Sequence, residues 1–366
     1  MRFSVTLTAT CLLAGFTAAH PGHDHSKEIE QRSAYLKHAK KDLSHCAAKL
    51  KARGIEARNI ARRSALAKDS RRKRGINTNT PYKRDLATVL NTTHLSSVDY
   101  TPATDEATIF AGNTSCILSP EVTQGPYYVA GEYMRQNLTE DQQGVELILD
   151  TQVIDVNTCD PVTNAVVEIW ACNSTGVYSG IVASGNGDSS DTSNLDKTFL
   201  RGLQPTDDDG VAQFITTFPG HYTSRATHFH TLSHFNGSLN DNGTYTGGYV
   251  SHVGQLFFDQ DLITQVEATA PYNTNTQEIT LNADDSVLAE EGVTGDPFIT
   301  YSLLGEDVSE GVFGWVAFGI DLTNEYSVSP AATLTEDGGV ASSSSGGGGP
   351  GGNSTGNSTI GGAPPS

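Results

Sequence analysis

Basic residues are nearly absent from most of this chain. Of its 23 lysines and arginines, 19 lie in residues 1–84, and the 282 residues that follow hold only Arg135, Lys197, Arg201 and Arg225. Acidic residues run the other way: 36 of 42 follow residue 84, so that part carries a formal charge of −32. Such a surface repels phosphate backbones and anionic lipid heads, which excludes nucleic acid and membrane surfaces as partners. It also makes each remaining arginine, Arg225 above all, a residue that needs a reason.

Long apolar runs are missing too. Beyond the N-terminus nothing is long and apolar enough to cross a bilayer. The five cysteines include no C-x-x-C pair, which argues against a thiolate metal site. No internal repeat is visible. Residues 341–366, rich in Ser, Gly, Asn and Pro, lack the hydrophobic end that a lipid-anchor signal requires. That stretch reads as a disordered, glycosylated spacer.

What is present points to export. Met1-Arg2, an apolar run over 5–16 and the small residues Thr17-Ala18-Ala19 predict a signal peptide over 1–19. Sequons at Asn91, Asn113, Asn137, Asn173, Asn236, Asn242, Asn353 and Asn357 fit exposed loops of a secreted, extracellular or wall-associated glycoprotein. With Cys11 removed, four cysteines remain for an oxidising compartment. Cys159 and Cys172 flank a strand–turn–strand pattern and are expected to pair, which leaves Cys46 for Cys116.

Residues 20–84 form a basic segment with helical spacing at Ile29, Leu36, Ala39, Leu43, Ala47 and Leu50, predicting one or two amphipathic helices. Arg71-Arg72-Lys73-Arg74 and Lys83-Arg84 fit either processing sites, which would make the segment a propeptide, or an exposed basic linker. A linker over 85–109 follows. From 110 to 325 short strands take over, at 145–156, 165–170, 211–217, 227–233, 253–258 and 314–320, with polar turns and almost no helix. This predicts an all-β fold, a β-sandwich core domain behind a short helical segment, with a tail over 326–366.

Four potential ligands cluster in the middle third: Tyr178, Tyr222, His228 and His230. On a strand His228 and His230 face one side while Phe229 faces the other. An H-x-H pair alone more often marks two half-exposed strand histidines than a metal pair. Pro219-Gly220-His221-Tyr222 upstream adds a phenol beside the same strand. Phenolate is a hard anionic donor that suits ferric iron. His221 and His234 read as surface residues, and Trp170 as core. Tyr127 and Tyr128 fit either core packing or a pocket rim.

The ordered set Trp-x7-Tyr, then Pro-Gly-x-Tyr-x2-Arg-x2-His-x-His, resembles the intradiol ring-cleavage dioxygenases, and more closely their secreted fungal branch. The resemblance begins at Gln124-Gly125-Pro126-Tyr127-Tyr128 and runs through Thr198-Phe199-Leu200-Arg201-Gly202 to Gln255. It implies one Fe(III) per chain, with Tyr178 and His230 equatorial and Tyr222 and His228 axial. It implies O2-dependent cleavage of catechol-type diols between the hydroxylated carbons, giving cis,cis-muconic acid-type products, with no organic cofactor. Tyr222 would leave the metal and accept a proton, Arg225 would stand beside the diol, and Gln255 near the iron. A homodimer through the N-terminal helices is a further implication. Two other classes fit parts of the sequence. One is a non-catalytic wall protein that binds aromatics or iron on the same fold. The other is a copper-dependent polysaccharide oxygenase using His20 as its N-terminus, although His20 leads into a basic helical segment.

Overall fold

A computed structural model describes residues 43–77, 115–116, 125–292, 295–326 and 328–342. The expected signal peptide, His20, the linker over 85–109 and the spacer beyond 342 lie outside the described residues. The chain is β-rich. One sheet runs β1 (Ser115–Cys116), β12 (Val312–Ile320), β3 (Glu146–Asp155) and β6 (Val211–Thr217), with β11 (Thr300–Leu303) also on β12. A second, fully antiparallel sheet runs β10 (Tyr249–Phe257), β7 (His228–Phe235), β4 (Val166–Trp170) and β5 (Arg201–Pro205). One apolar cluster draws on both sheets: Leu147, Leu149 and Val153 of β3, Val167 and Ile169 of β4, Phe229 of β7 and Leu256 of β10. These residues repeat every second position, the period that sends alternate side chains to one face. Each such buried side chain contributes roughly 1.5–3 kcal/mol.

The alternate residues of β3 explain the N-terminal segment. Ile148, Asp150 and Gln152 face away from that cluster and are also buried. They are covered by α2 (Ile55–Lys73), which follows α1 (Ala47–Ala52). Its buried stripe is Ile55, Asn59, Arg63, Ala67 and Arg71, four residues apart but mostly polar. Asn59 donates to Gln152 at 2.7 Å, and Arg62 and Arg63 reach Asp150 at 2.9 and 3.1 Å. Ala67 packs on Ile148, Phe313 and Trp315. The basic run at 71–74 therefore sits in the last turn of a docked helix, with Arg71 buried.

This arrangement makes Asp150→Ala a severe substitution. Removing one partner from a buried ion pair leaves an uncompensated charge, here on Arg63, and costs about 3–5 kcal/mol. Burial alone would push the Asp150 carboxyl up, but Arg62 and Arg63 outweigh it and hold the carboxyl below its ordinary value. A depressed carboxyl stabilises the fold above the unfolded pKa and loses that contribution as pH falls through the folded one. Melting curves of the protein and Asp150→Asn should therefore differ most near neutrality and converge in strong acid. Equal melting at pH 7 would reject the clamp.

Two expectations need correction. The ordered chain does not stop at 326: β13 (Ala332–Thr335) and β14 (Gly338–Ala341) form a hairpin, and β13 pairs with β2 (Val129–Ala130). The disulfide pairing also differs. Cys159 is bonded to Cys46, and Cys172 is a buried free thiol. The reason is the length of β4. Cys159 precedes it and Cys172 follows it, so a strand of about 17 Å separates two residues whose Cα atoms would have to lie within about 7 Å. Cys46, at the start of α1, instead meets the turn after β3. Peptide mapping without reduction should recover Cys46 linked to Cys159, with Cys172 alkylated only after unfolding. A Cys159–Cys172 peptide would overturn the assignment.

Candidate metal centre

β7 opens at His228 because the chain turns sharply just before it. Tyr222 and Arg225 bridge across this turn, and Ser224 takes a positive φ of 76°. The strand then sends His228 and His230 to its outer face and Phe229 into the apolar cluster, as the alternation predicts. The His228 Nδ1–H donates to the Ala226 carbonyl at 2.6 Å, which makes Nε2 the ring nitrogen that carries the lone pair. That Nε2 lies 3.1 Å from His230 Nε2 and 3.4 Å from the Tyr222 hydroxyl.

Tyr178 arrives from the other side. Its backbone N–H donates to Asn186, and its carbonyl accepts from Asn186 and Asn194 at 2.9 and 2.8 Å. Its ring stands 5.6 Å from that of Tyr222 and 6.2 Å from that of His230. The Tyr178 hydroxyl is sealed from solvent with no hydrogen bond among the described residues. A buried hydroxyl without a partner is costly, and a metal ion would satisfy it. Burial, with Tyr222 and Cys172 nearby, pushes the Tyr178 phenol well up; burial raises Tyr222 as well, against the pull of Arg225. With no cation both phenols stay neutral at pH 7. Two oxygen donors and two imidazole nitrogens thus converge on one point, a donor set that fits a hard, highly charged ion.

Packing fixes these donors. Trp170 lies flat on His230, 4.8 Å away and 4° from parallel, so it belongs to the site wall and is more than core filling. Gly125 has a φ of +73°, and a Cβ there would sit 3.0 Å from His230 Cε1. Tyr127 packs 4.9 Å from Tyr178. Arg201, fully buried, donates to the carbonyls of Ser179 and Tyr127 at 2.7 and 2.8 Å and thereby holds the segments that carry both tyrosines.

Arg225 reaches the same point. It is 1% exposed, its Nη2 donates to Gln255 at 2.5 Å and its Nε to Asp285 at 3.0 Å. Gln255 is the register partner of His230 across β10 and β7, so it stands at the site. The loop hairpin β8 (Ser238–Leu239) and β9 (Tyr245–Thr246) absorbs the extra residues between them. Asp285 was not foreseen. It follows α3 (Gln260–Glu267), precedes α4 (Ser286–Glu291), and also accepts from the amides of Ala226 and Leu288. These two short helices qualify the expectation of almost no helix. His221 and His234 are likewise not surface residues. Both are buried, one paired with Glu267 at 2.9 Å and the other with Glu168 at 2.6 Å.

The family model described as Dioxygenase matches residues 123–238, which carry all four donors and Arg225. The chain is similar to the intradiol ring-cleavage dioxygenase of Tetranychus urticae, with 30% identity over 58% of this chain and 98% of that one, at a TM-score of 0.47. This protein belongs to the intradiol ring-cleavage dioxygenases. It is also similar to a hydroxyquinol 1,2-dioxygenase from Pseudomonas putida, 22% identical over 54% of this chain and 65% of that one, with a TM-score of 0.35. A catechol 1,2-dioxygenase from Pseudomonas arvilla is 19% identical over 56% and 63%, with the same TM-score of 0.35. No curated protein matches the chain. As a member of this family the dioxygenase is an enzyme of aromatic ring cleavage, and its four donors are the residues to test for the metal.

Proposed function

We propose that this dioxygenase holds one ferric iron between Tyr178, Tyr222, His228 and His230 and cleaves catechol-type diols with O2 to cis,cis-muconic acid-type products. The observation that carries the reading is the 3.1 Å approach of two imidazole Nε2 atoms, beside two buried phenols whose rings stand 5.6 Å apart. Bound there, ferric iron would draw the phenols to phenolates and activate a chelated diol toward O2. The rest falls to the chain. Tyr222 sits on a turn, so its side chain can swing out more readily than Tyr178, which Asn186 and Asn194 lock from both sides. Tyr222 would be the group placed to take a proton from the diol. Arg225, fixed by Asp285 and touching Gln255, places positive charge where the ring oxygens become electron-rich. Tyr127 and Trp170 exclude bulk water.

The reading includes secretion and membership of a fungal extracellular branch. It is supported by the Cys46–Cys159 disulfide and by the exposure of sequon residues Asn137, Asn236 and Asn242. A homodimer through the N-terminal helices would not draw on the buried stripe of α2, which is spent within the chain; sedimentation would read it out. The decisive experiment is oxygen uptake by purified protein against catechol, hydroxyquinol and protocatechuate, with metal analysis and product identification. Iron, uptake and a ring-opened diacid are the expected outcome. Full zinc occupancy and no uptake would sink the reading.

A further inference from the structure

A second concave site lies on the same face of the second sheet as the metal centre. Residues 228, 230, 232 and 234 of β7 share that face. His234, about 13 Å along the strand from His230, lines a cavity of about 650 Å3 together with Tyr128, Glu132, Glu168, Tyr245 and Tyr326. The two sites are separate. Tyr128 lines the cavity and packs on Trp170 with ring centroids 5.4 Å apart, and Trp170 in turn covers His230. One wall is a strap anchored by the Tyr326 amide on Val250 at 2.7 Å, and Gly247 and Gly248 turn the chain at its edge.

Its chemistry is one-sided. Glu132 and Glu168 are almost fully buried, and Glu325 adds a carboxylate at the rim. Glu168 pairs with His234 at 2.6 Å. Neither oxygen of Glu132 has a hydrogen-bond partner among the described residues; the Arg201 guanidinium stands 3.8 Å from one of them, beyond hydrogen-bond reach. A buried carboxylate in this condition lacks donors, and tyrosine faces favour cations. The volume falls in the range typical of small-molecule sites, about 300–1,000 Å3. A metal ion fits poorly, because among the described residues no three His, Cys, Asp or Glu ligand atoms converge here.

We propose that this cavity binds a small organic ammonium ion, its N–H groups directed to the Glu132 and Glu168 carboxylates and its body held among the tyrosine rings. A neutral polyol could donate its hydroxyl groups to the same carboxylates but would leave their buried charge uncompensated. Burial pushes the Glu132 carboxyl up to about 8, with Arg201 and Arg135 pulling it down and Glu168 and Glu140 pushing it up. The ammonium must therefore displace a proton, and binding should tighten as pH rises from 6 to 8. Glu168, His234 and Glu325 are the other titratable groups that face the bound cation.

The test is calorimetry on the iron-loaded protein with benzylamine and spermidine, against benzyl alcohol and methyl glucoside as neutral probes, with the metal centre saturated by catechol under anaerobic conditions. Expected are saturable amine binding, proton release seen as a buffer-dependent heat, and at least roughly tenfold weaker binding at pH 6 than at pH 8. Glu132→Gln should abolish binding while leaving ring cleavage intact. Should Glu132→Gln fail to fold, Glu325→Gln at the rim should weaken amine binding severalfold, and Thr246→Trp should block it. Equal binding of benzyl alcohol, binding of the glucoside in place of the amines, or no binding by any amine would each overturn the proposal.

Discussion

His228→Ala should be isolated without iron and without visible colour, while melting close to the parent. The His228 Nε2 is the central donor of the four, 3.1 Å from His230 and 3.4 Å from the Tyr222 hydroxyl. Its Nδ1–H is spent on the Ala226 carbonyl, which fixes both the tautomer and the ring orientation. Loss of groups that only orient a metal ligand costs about 10–100-fold in affinity; loss of the ligand itself should exceed that. The fold should survive, because β7 packs into the shared cluster through Phe229, on the opposite face. Tyr222→Phe makes the informative contrast: iron retained, a shifted tyrosinate-to-iron band and slower turnover. Metal analysis and a visible spectrum decide the matter. A His228→Ala protein with full iron and an unchanged band would place the metal elsewhere.

The site was legible where local rules suffice. Two histidines one residue apart must share a strand face, and Phe229 between them must take the other, so H-F-H stated both the shared face of the two imidazoles and its support. The strands at 211–217 and 314–320 were legible for the same reason: both are β-branched or apolar, and the matching strands in the structure are β6 and β12. Where the structure departs from the reading, the missing information is long-range. Nothing near Asp285 signals that it accepts from Arg225, sixty residues earlier, and from the amide of Ala226. The stripe of α2 that meets the sheet contains Asn59, Arg63 and Arg71, so apolar periodicity could not show that the helix docks on β3. Cys159 and Cys172 flank a hairpin in sequence, but β4 keeps them apart in space and Cys159 meets Cys46. His221 and His234 looked like surface residues because their glutamate partners, Glu267 and Glu168, lie on other elements.

Arg225→Gln should keep iron and colour and lower kcat by about 10²–10³, equivalent to roughly 2.7–4 kcal/mol of transition-state stabilisation. The competing account of Arg225, an exposed ion pair worth about 0–1 kcal/mol, does not apply, because both Arg225 and Asp285 are fully buried. A buried pair brings its own complication: removing one partner costs about 3–5 kcal/mol of stability. The kinetic and structural contributions therefore have to be separated. Asp285→Asn keeps the shape and the acceptor but gives up the charge that holds the Arg225 Nε. Burial pushes the Asp285 carboxyl up, yet Arg225 and the amides of Leu288 and Ala226 pull it below its ordinary value. Its stabilisation is thus present at neutral pH and lost as pH falls through that lowered pKa. If Asp285 acts only through Arg225, Asp285→Asn should reduce kcat less than Arg225→Gln does, with iron and colour unchanged. The double variant should then be no slower than Arg225→Gln alone, a non-additivity expected of residues in direct contact. Additive losses in kcat would mean that Asp285 serves catalysis by a route of its own. An Arg225→Gln enzyme with parental kcat and full iron would leave the guanidinium a structural group and remove it from the reaction.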